Sequence, residues 1–172
     1  VFGDVPYRES EIDDVETHIA NLNRYSPSAF LVHVGDILSG SETCNETRYQ
    51  TVSDILKSSE IPVFVLPGDN EWLGCSNPNQ GWAWWEENFL GIEESFCGIW
   101  PVGAHATRPE NFSFVRDGVL FIGLNYVSGS PSSVTQTAVE WVNSQFAAYG
   151  SSVRAAVVFA QKEAGGNLFD AV

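Results

Sequence analysis

The sequence predicts an α/β fold, a mostly parallel sheet with flanking helices, and three observations predict it. Short apolar runs of strand length alternate with longer stretches whose apolar residues recur at helical spacing. Three of the apolar segments close on an acidic turn: Gly3-Asp4, Gly35-Asp36 and Gly68-Asp69. A single hairpin signal, Asp117-Gly118, interrupts the alternation. At 172 residues the chain is expected to form one domain, 1-172.

The elements follow in order. Val1-Phe2 is a stub where a buried central strand is expected. Ser10 is placed to cap a helix carrying Ile12, Val15, Ile19 and Leu22 on one face and ending near Asn23. Ala29 to Val34 is a buried strand that stops at Gly35-Asp36. A second helix covers Glu46 to Ser58 and buries Tyr49, Val52, Ile55 and Leu56. The next strand, Pro62 to Leu66, ends at Pro67-Gly68-Asp69-Asn70. Trp82, Trp84, Trp85 and Phe89 lie at helical spacing. Phe112 to Val115 and Val119 to Leu124 flank the two-residue turn. Ser133 with Gln136 forms a capping-box signature for a helix through about Ala148. Val153 to Ala160 is the last strand. Both ends read as clipped, because the twelve residues after Ala160 are too few for another crossover and strand.

Composition narrows the function. Apolar residues make up 44% of the chain and charged ones only 17%, which predicts a packed core. Acidic residues outnumber basic ones 22 to 8, for a net charge of -14. Such a charge repels a phosphate backbone, so nucleic acid is excluded as a partner, and it disfavours anionic membrane surfaces. It attracts divalent cations. No apolar run reaches the ~20 residues of a membrane-spanning helix. The chain opens at Val1 without an initiator Met, which reads as a removed leader or a fragment. Two sequons, at Asn45 and Asn111, are candidate glycosylation sites. Cys44, Cys75 and Cys97 leave an odd thiol if a pair forms. These features favour a secreted, extracellular protein.

Open parallel sheets bind ligands just beyond the carboxyl ends of their strands. Asp4, Asp36 and Asp69 would sit at three such ends, each behind a glycine that leaves the backbone room to turn. Gly-Asp alone is ordinary turn chemistry. Three in register point to a site, and a bound cation is the simplest relief of their mutual repulsion.

These residues resemble the calcineurin-like metallophosphoesterases. Phe2-Gly3-Asp4-Val5-Pro6-Tyr7 is similar to that family's first block and His33-Val34-Gly35-Asp36 to its second. Pro67-Gly68-Asp69-Asn70-Glu71-Trp72 is similar to the third, in a branch that reads Pro-Gly-Asp-Asn-Glu-Trp followed by a cysteine. The resemblance covers nearly all of this chain but about two thirds of the family domain, and it implies an α/β/β/α sandwich incomplete at both ends. It implies metal-dependent hydrolysis of a phosphoric ester, with Asp36 bridging two metals, Asp4 holding one, and Asp69 or Asn70 holding the other or orienting the phosphate.

The departures are equally specific. Pro6 stands where the first-block His belongs, Asp69-Asn70 replace Asn-His, and Gln161 occupies the place of a lone His. The Gly-His-x-His block is not in the chain. The remaining donors, Asp4, Asp36, Asp69, Asn70 and Gln161, are oxygen ligands that suit Mg²⁺, Mn²⁺ or Ca²⁺ better than Zn²⁺. The ion count stays open between two and none. Neighbouring strands would carry Cys44 and Cys75 to one rim, and the resembled branch has a cysteine in each place. The resemblance therefore implies a Cys44–Cys75 disulfide, with Cys97 free or paired outside the chain.

Other candidates are weaker. His18 reads as a solvated helix residue. His33 reads equally as a hydrogen-bonded core residue or as support for Asp36. His105, in a loop, is the histidine freest to reach a rim and joins Asn70 as a candidate catalytic residue. Asn125 follows a strand end. Trp72, Trp82, Trp84, Trp85 and Trp100 at this spacing read as core or lid before ligand platform. No Gly-x-Ser-x-Gly or phosphate-loop pattern occurs. The leading function is phosphoric ester hydrolysis on a small phosphorylated substrate. The alternatives are a non-catalytic secreted structural or binding glycoprotein that retains the fold, with self-association in place of a substrate, and a single-cation carbohydrate- or nucleotide-binding module.

Overall fold

The computed structural model describes residues 1–163, so the stretch expected to be too short for another crossover lies mostly outside the described residues. It is a mixed α/β structure with two sheets, and it divides into two compact units, Val1–Ile99 and a second beginning at Trp100. No helix among the described residues is long and apolar enough to cross a membrane.

In the first unit, helix α1 (Ile12–Tyr25), strand β1 (Leu31–His33), helix α2 (Glu46–Lys57), strand β2 (Val63–Val65) and helix α3 (Pro78–Phe89) follow in chain order. β1 and β2 pair in parallel, with Leu31 opposite Val63 and His33 opposite Val65. The backbone groups of Leu31 and His33 face β2, whereas Val32 and Val34 bond to Phe2 on the other side. The Val1-Phe2 stub is thus a one-residue parallel bridge to His33. Three chain segments therefore run the same way, and their carboxyl ends share one rim. Beneath them Val15, Ile19, Tyr49, Val52, Leu56, Trp85 and Phe89 form a buried core.

The helix starts divide into those the side chains cap and those they do not. Asn45 caps α2 by accepting the Arg48 N–H at 3.1 Å, and Asn77 caps α3 through Gln80. Ser10 does not cap α1. It lies inside a 3₁₀ turn, Glu9–Glu11, and the Glu11 carboxylate instead reaches back to the Tyr7 N–H at 2.7 Å.

The second unit is a four-stranded sheet ordered β3 (Gly103–Ala104), β4 (Phe112–Arg116), β5 (Val119–Gly123) and β6 (Ala155–Phe159), with helix α4 (Ser132–Tyr149) between β5 and β6. Only β5 and β6 are parallel, so this sheet is mixed where a mostly parallel one was expected. The cause is the hairpin: Asp117 and Gly118 both adopt positive φ, at 49° and 73°, and turn the chain in two residues. The Ser133–Gln136 capping box does not form, because α4 begins one residue earlier on the Pro131 carbonyl and Gln136 turns to Glu140. Leu120, Ile122 and Leu124 pack against Ala138 and Val142 of α4. Phe112, Phe114, Phe121 and Phe159 form a chain of stacked rings running across β4, β5 and β6.

At the first unit's rim the backbones nearly touch. Gly35 has φ 92°, and a Cβ there would lie 2.1 Å from the Gly68 nitrogen; a Cβ on Gly68 would lie 2.0 Å from Asp36 Oδ1. Gly68→Ala should therefore cost about 3 kcal/mol. Gly98→Ala, at φ 73° with nothing within 4 Å, should cost only the left-handed penalty of about 1 kcal/mol. Urea unfolding of the two variants checks the contrast.

Candidate functional site at the acidic rim

The two best-defined acidic loops owe their form to left-handed backbone. Asp4 and Asp36 both sit at φ 59°, a conformation in which a short polar side chain is tolerated better than a branched one. The Asp4 N–H bonds to the Gly35 carbonyl at 2.9 Å, so the first loop is registered on the second. Asp36 is 2% exposed. Its Oδ1 accepts the Asn70 N–H at 3.1 Å, and its Oδ2 lies 3.3 Å from the Tyr7 hydroxyl. That hydroxyl donates to Asp4 Oδ1 at 2.7 Å. One phenol thus spans two carboxylates from different loops.

Electrostatics follow the geometry. Burial pushes the Asp36 carboxyl above the ordinary carboxylate range, the Asn70 N–H opposes it, and the charges of Asp69 and Asp4 add to the rise. The Tyr7 phenol is pushed up as well, first by its hydrogen bond to Asp4, then by burial and the Asp36 charge. The structure brings Asp4 and Asp36 to one hydroxyl, while the Asp69 charge acts on Asp36. Asn70 supplies its backbone N–H, and its side-chain amide makes no hydrogen bond among the described residues. Yet among the described residues no three His, Cys, Asp or Glu side chains converge to hold a metal ion.

Two residues that carry the rim were not singled out by sequence reasoning. Tyr7 follows the first acidic turn by three residues, a spacing that has no meaning without the fold. Glu71 was visible only as the last residue of the third acidic loop, Gly68-Asp69-Asn70-Glu71, and of the third block. It is fully buried; Oε1 accepts the Gly68 N–H at 2.6 Å and the Asp36 N–H at 3.0 Å, with Oε2 3.1 Å from the latter. Burial and the Asp36 charge push its pKa up to about 8, against the pull of those donors. Tyr49 donates to the Glu71 carbonyl at 2.6 Å.

The disulfide is present. Cys44 and Cys75 are bonded with Cα atoms 5.6 Å apart, and both sulfurs lie within 3.7 Å of the Asn70 carbonyl. The bridge pins the loop after β1 to the loop after β2. Cys97 is free and exposed. His33 is a core residue: its Nε2 donates to the Val5 carbonyl at 2.8 Å while Nδ1 accepts the Gly35 N–H at 3.1 Å, so it ties the first two loops together. His18 is exposed, edge-on to Phe2. The tryptophans of α3 are packing: Trp85 is fully buried, stacked on Trp82 at 5.2 Å. Trp100 packs instead on Phe114 and Arg116.

His105, Asn111, Asn125 and Gln161 belong to the second unit. His105 Nδ1 accepts backbone N–H groups of Thr107 and Arg108, and its ring meets Trp141 edge-on, so the ring shapes its own loop. Asn125 is fully buried and bonds Asn111 and Glu110, a structural role. Gln161 is half-buried just past β6. Asn111 is fully buried, its Oδ1 accepting the Asn125 N–H at 2.7 Å, so the folded chain does not present this sequon to a transferase. Asn45 is exposed. No protein-family model matches the chain, and no curated protein matches it.

Two measurements follow from the buried groups. Burial lowers the His33 pKa from 6.5 to about 4, so between those values the unfolded chain binds a proton that the folded chain refuses. This residue's contribution is complete above about pH 6.5 and is lost as pH falls. Chemical denaturation at pH 7 and 4.5 should show His33→Gln losing about 2 kcal/mol less than the unaltered chain. Glu71 acts with the opposite sign, losing its contribution as pH rises toward 8, and is common to both proteins. Glu71→Leu should destabilise by about 3 kcal/mol, because two buried N–H groups lose their acceptor, and Glu71→Gln by less.

Proposed function

We propose that the first unit's rim belongs to a domain resembling the calcineurin-like metallophosphoesterases, which binds a hard divalent cation and hydrolyses a phosphoric ester outside the cell. The observation that supports this most is the meeting of Asp4 and Asp36, from separate loops at parallel strand ends, within reach of one hydroxyl. The donors suit a hard cation in chemistry, being carboxylate oxygens, and the glycine at 68 leaves the Asp36 side chain the space that a Cβ there would take. Two carboxylates with water and substrate phosphate completing the shell is the way Mg²⁺ is commonly held.

Asp4 and Asp36 would hold the ion, Asp69 would add charge, and the unengaged Asn70 amide would hydrogen-bond a phosphoryl oxygen. When bound, the cation supplies Lewis-acid polarisation of the phosphoryl group. The chain's own contribution is orientation: Glu71 and the Asn70 N–H hold Asp36 in place. A second reading has one observation in its favour. Both Asp36 oxygens already have hydrogen-bonding neighbours, and among the described residues no group of three His, Cys, Asp or Glu side chains forms there. That pattern suits a binding glycoprotein that keeps the fold without the chemistry.

Calorimetric titration of Mn²⁺, Mg²⁺ and Ca²⁺ into the metal-stripped chain, with aryl phosphate monoesters and diesters as substrates, separates these readings. Binding should weaken roughly tenfold or more in Asp36→Asn, and less in Asp69→Asn, whose amide still offers an oxygen. Binding with cation-dependent phosphate release supports the hydrolase. Binding without release assigns the chain to the second reading, and no binding up to millimolar cation removes the cation site altogether.

A further inference from the structure

We propose that Asn45 carries an N-linked glycan in the folded chain while still capping α2, and that Asn111, the other sequon, stays bare. The inference rests on the extracellular reading given above, which the Cys44–Cys75 bridge favours, and on neither a cation nor phosphoric ester chemistry. All three residues of the first triplet, Asn45, Glu46 and Thr47, are exposed. Asn45 itself stands in extended backbone, at φ -146° and ψ 142°, just before the first helical residue.

Its amide is divided between two tasks. Oδ1 accepts the Arg48 N–H at 3.1 Å and makes the cap, while Nδ2 donates to the Thr43 carbonyl at 3.1 Å. Glycan transfer from a lipid-linked diphosphate oligosaccharide replaces one Nδ2 hydrogen. The Nδ2–C1 bond forms, the C1–O bond to the diphosphate breaks, and the displaced proton leaves. The product keeps Oδ1 and one N–H, so the cap bond survives and the sugar extends from an exposed position.

At Asn111 the same chemistry has no room. Asn111, Phe112 and Ser113 are all buried, and the last two lie on β4 between β3 and β5. Asn111 Oδ1 accepts the Asn125 N–H at 2.7 Å, its Nδ2 is buried, and the Ser113 hydroxyl donates to Gln145 at 2.7 Å. A sugar on that nitrogen would force this sheet open, so a chain modified there cannot take this fold.

The full chain, secreted from a eukaryotic host behind an added leader, tests this by glycopeptide mass spectrometry and urea unfolding. Glycan is expected at Asn45 and none at Asn111 in the cooperatively unfolding fraction. Thr47→Ala should lose the glycan and keep the cap, with a urea midpoint no higher than that of the glycosylated chain. Asn45→Ala loses both and should unfold at lower urea than Thr47→Ala. Unmodified Asn45 in the secreted, folded chain overturns the site and leaves the extracellular reading standing. Glycan at Asn111 in that fraction overturns the exclusion. A glycosylated chain that unfolds at lower urea than Thr47→Ala overturns the retained cap.

Discussion

Two backbone N–H groups, those of Gly68 and Asp36, point into the interior at the ends of neighbouring strands, and one buried carboxyl accepts both. An unpaired N–H in such a place costs about as much as a lost hydrogen bond, so the loops can pass this close only because Glu71 is there. The requirement runs outward from that carboxyl. Gly35 and Gly68 must lack a Cβ for the backbones to approach, Asp36 must take a left-handed φ to bring its N–H inward, and its side chain is then turned to the rim. The acidic rim is the outer face of an interior hydrogen-bond problem.

Around this clamp the first unit adds separate restraints on the same loops. His33 bonds the Val5 carbonyl and the Gly35 N–H and so joins the first loop to the second. The Cys44–Cys75 bridge, closing a span of 31 residues, joins the second to the third and is worth about 3–4 kcal/mol through loop entropy. Tyr49 holds the Glu71 backbone from α2. Each restraint acts between a different pair of segments, so no single one sets the position of Asp36. A site whose carboxylates repel one another needs this redundancy, because the repulsion works to spread the loops apart.

What was legible in the sequence was what depends on near neighbours. The alternation of apolar runs with helical stretches placed the four α-helices and the long strands among the described residues, since burial periodicity is local. Asp117-Gly118 gave its turn because both residues accept positive φ without outside help. Ser10 and Ser133 misled because a capping serine competes with other groups that can accept the same N–H, here the Glu11 carboxylate and the Pro131 carbonyl. The mixed second sheet was half visible: the hairpin announces an antiparallel pair, but strand order is a long-range property. At the rim the glycines and aspartates were legible as turns. Tyr7 and Glu71 were not, because each acts on groups about 30 residues away or on buried N–H donors, and no local pattern encodes that.

The net charge of -14 gives the rim a particular character. In a strongly acidic chain a cluster of carboxylates cannot count on long-range attraction from the rest of the molecule, so local donors must stabilise it. The structure uses backbone N–H groups for the most buried carboxyls, Glu71 and Asp36, and a phenol for the more exposed Asp4. Neutral donors hold carboxylates without cancelling their charge. A basic side chain in the Tyr7 position would instead neutralise the pair outright. A phenol lowers the repulsion between the two carboxylates while leaving their charge in place.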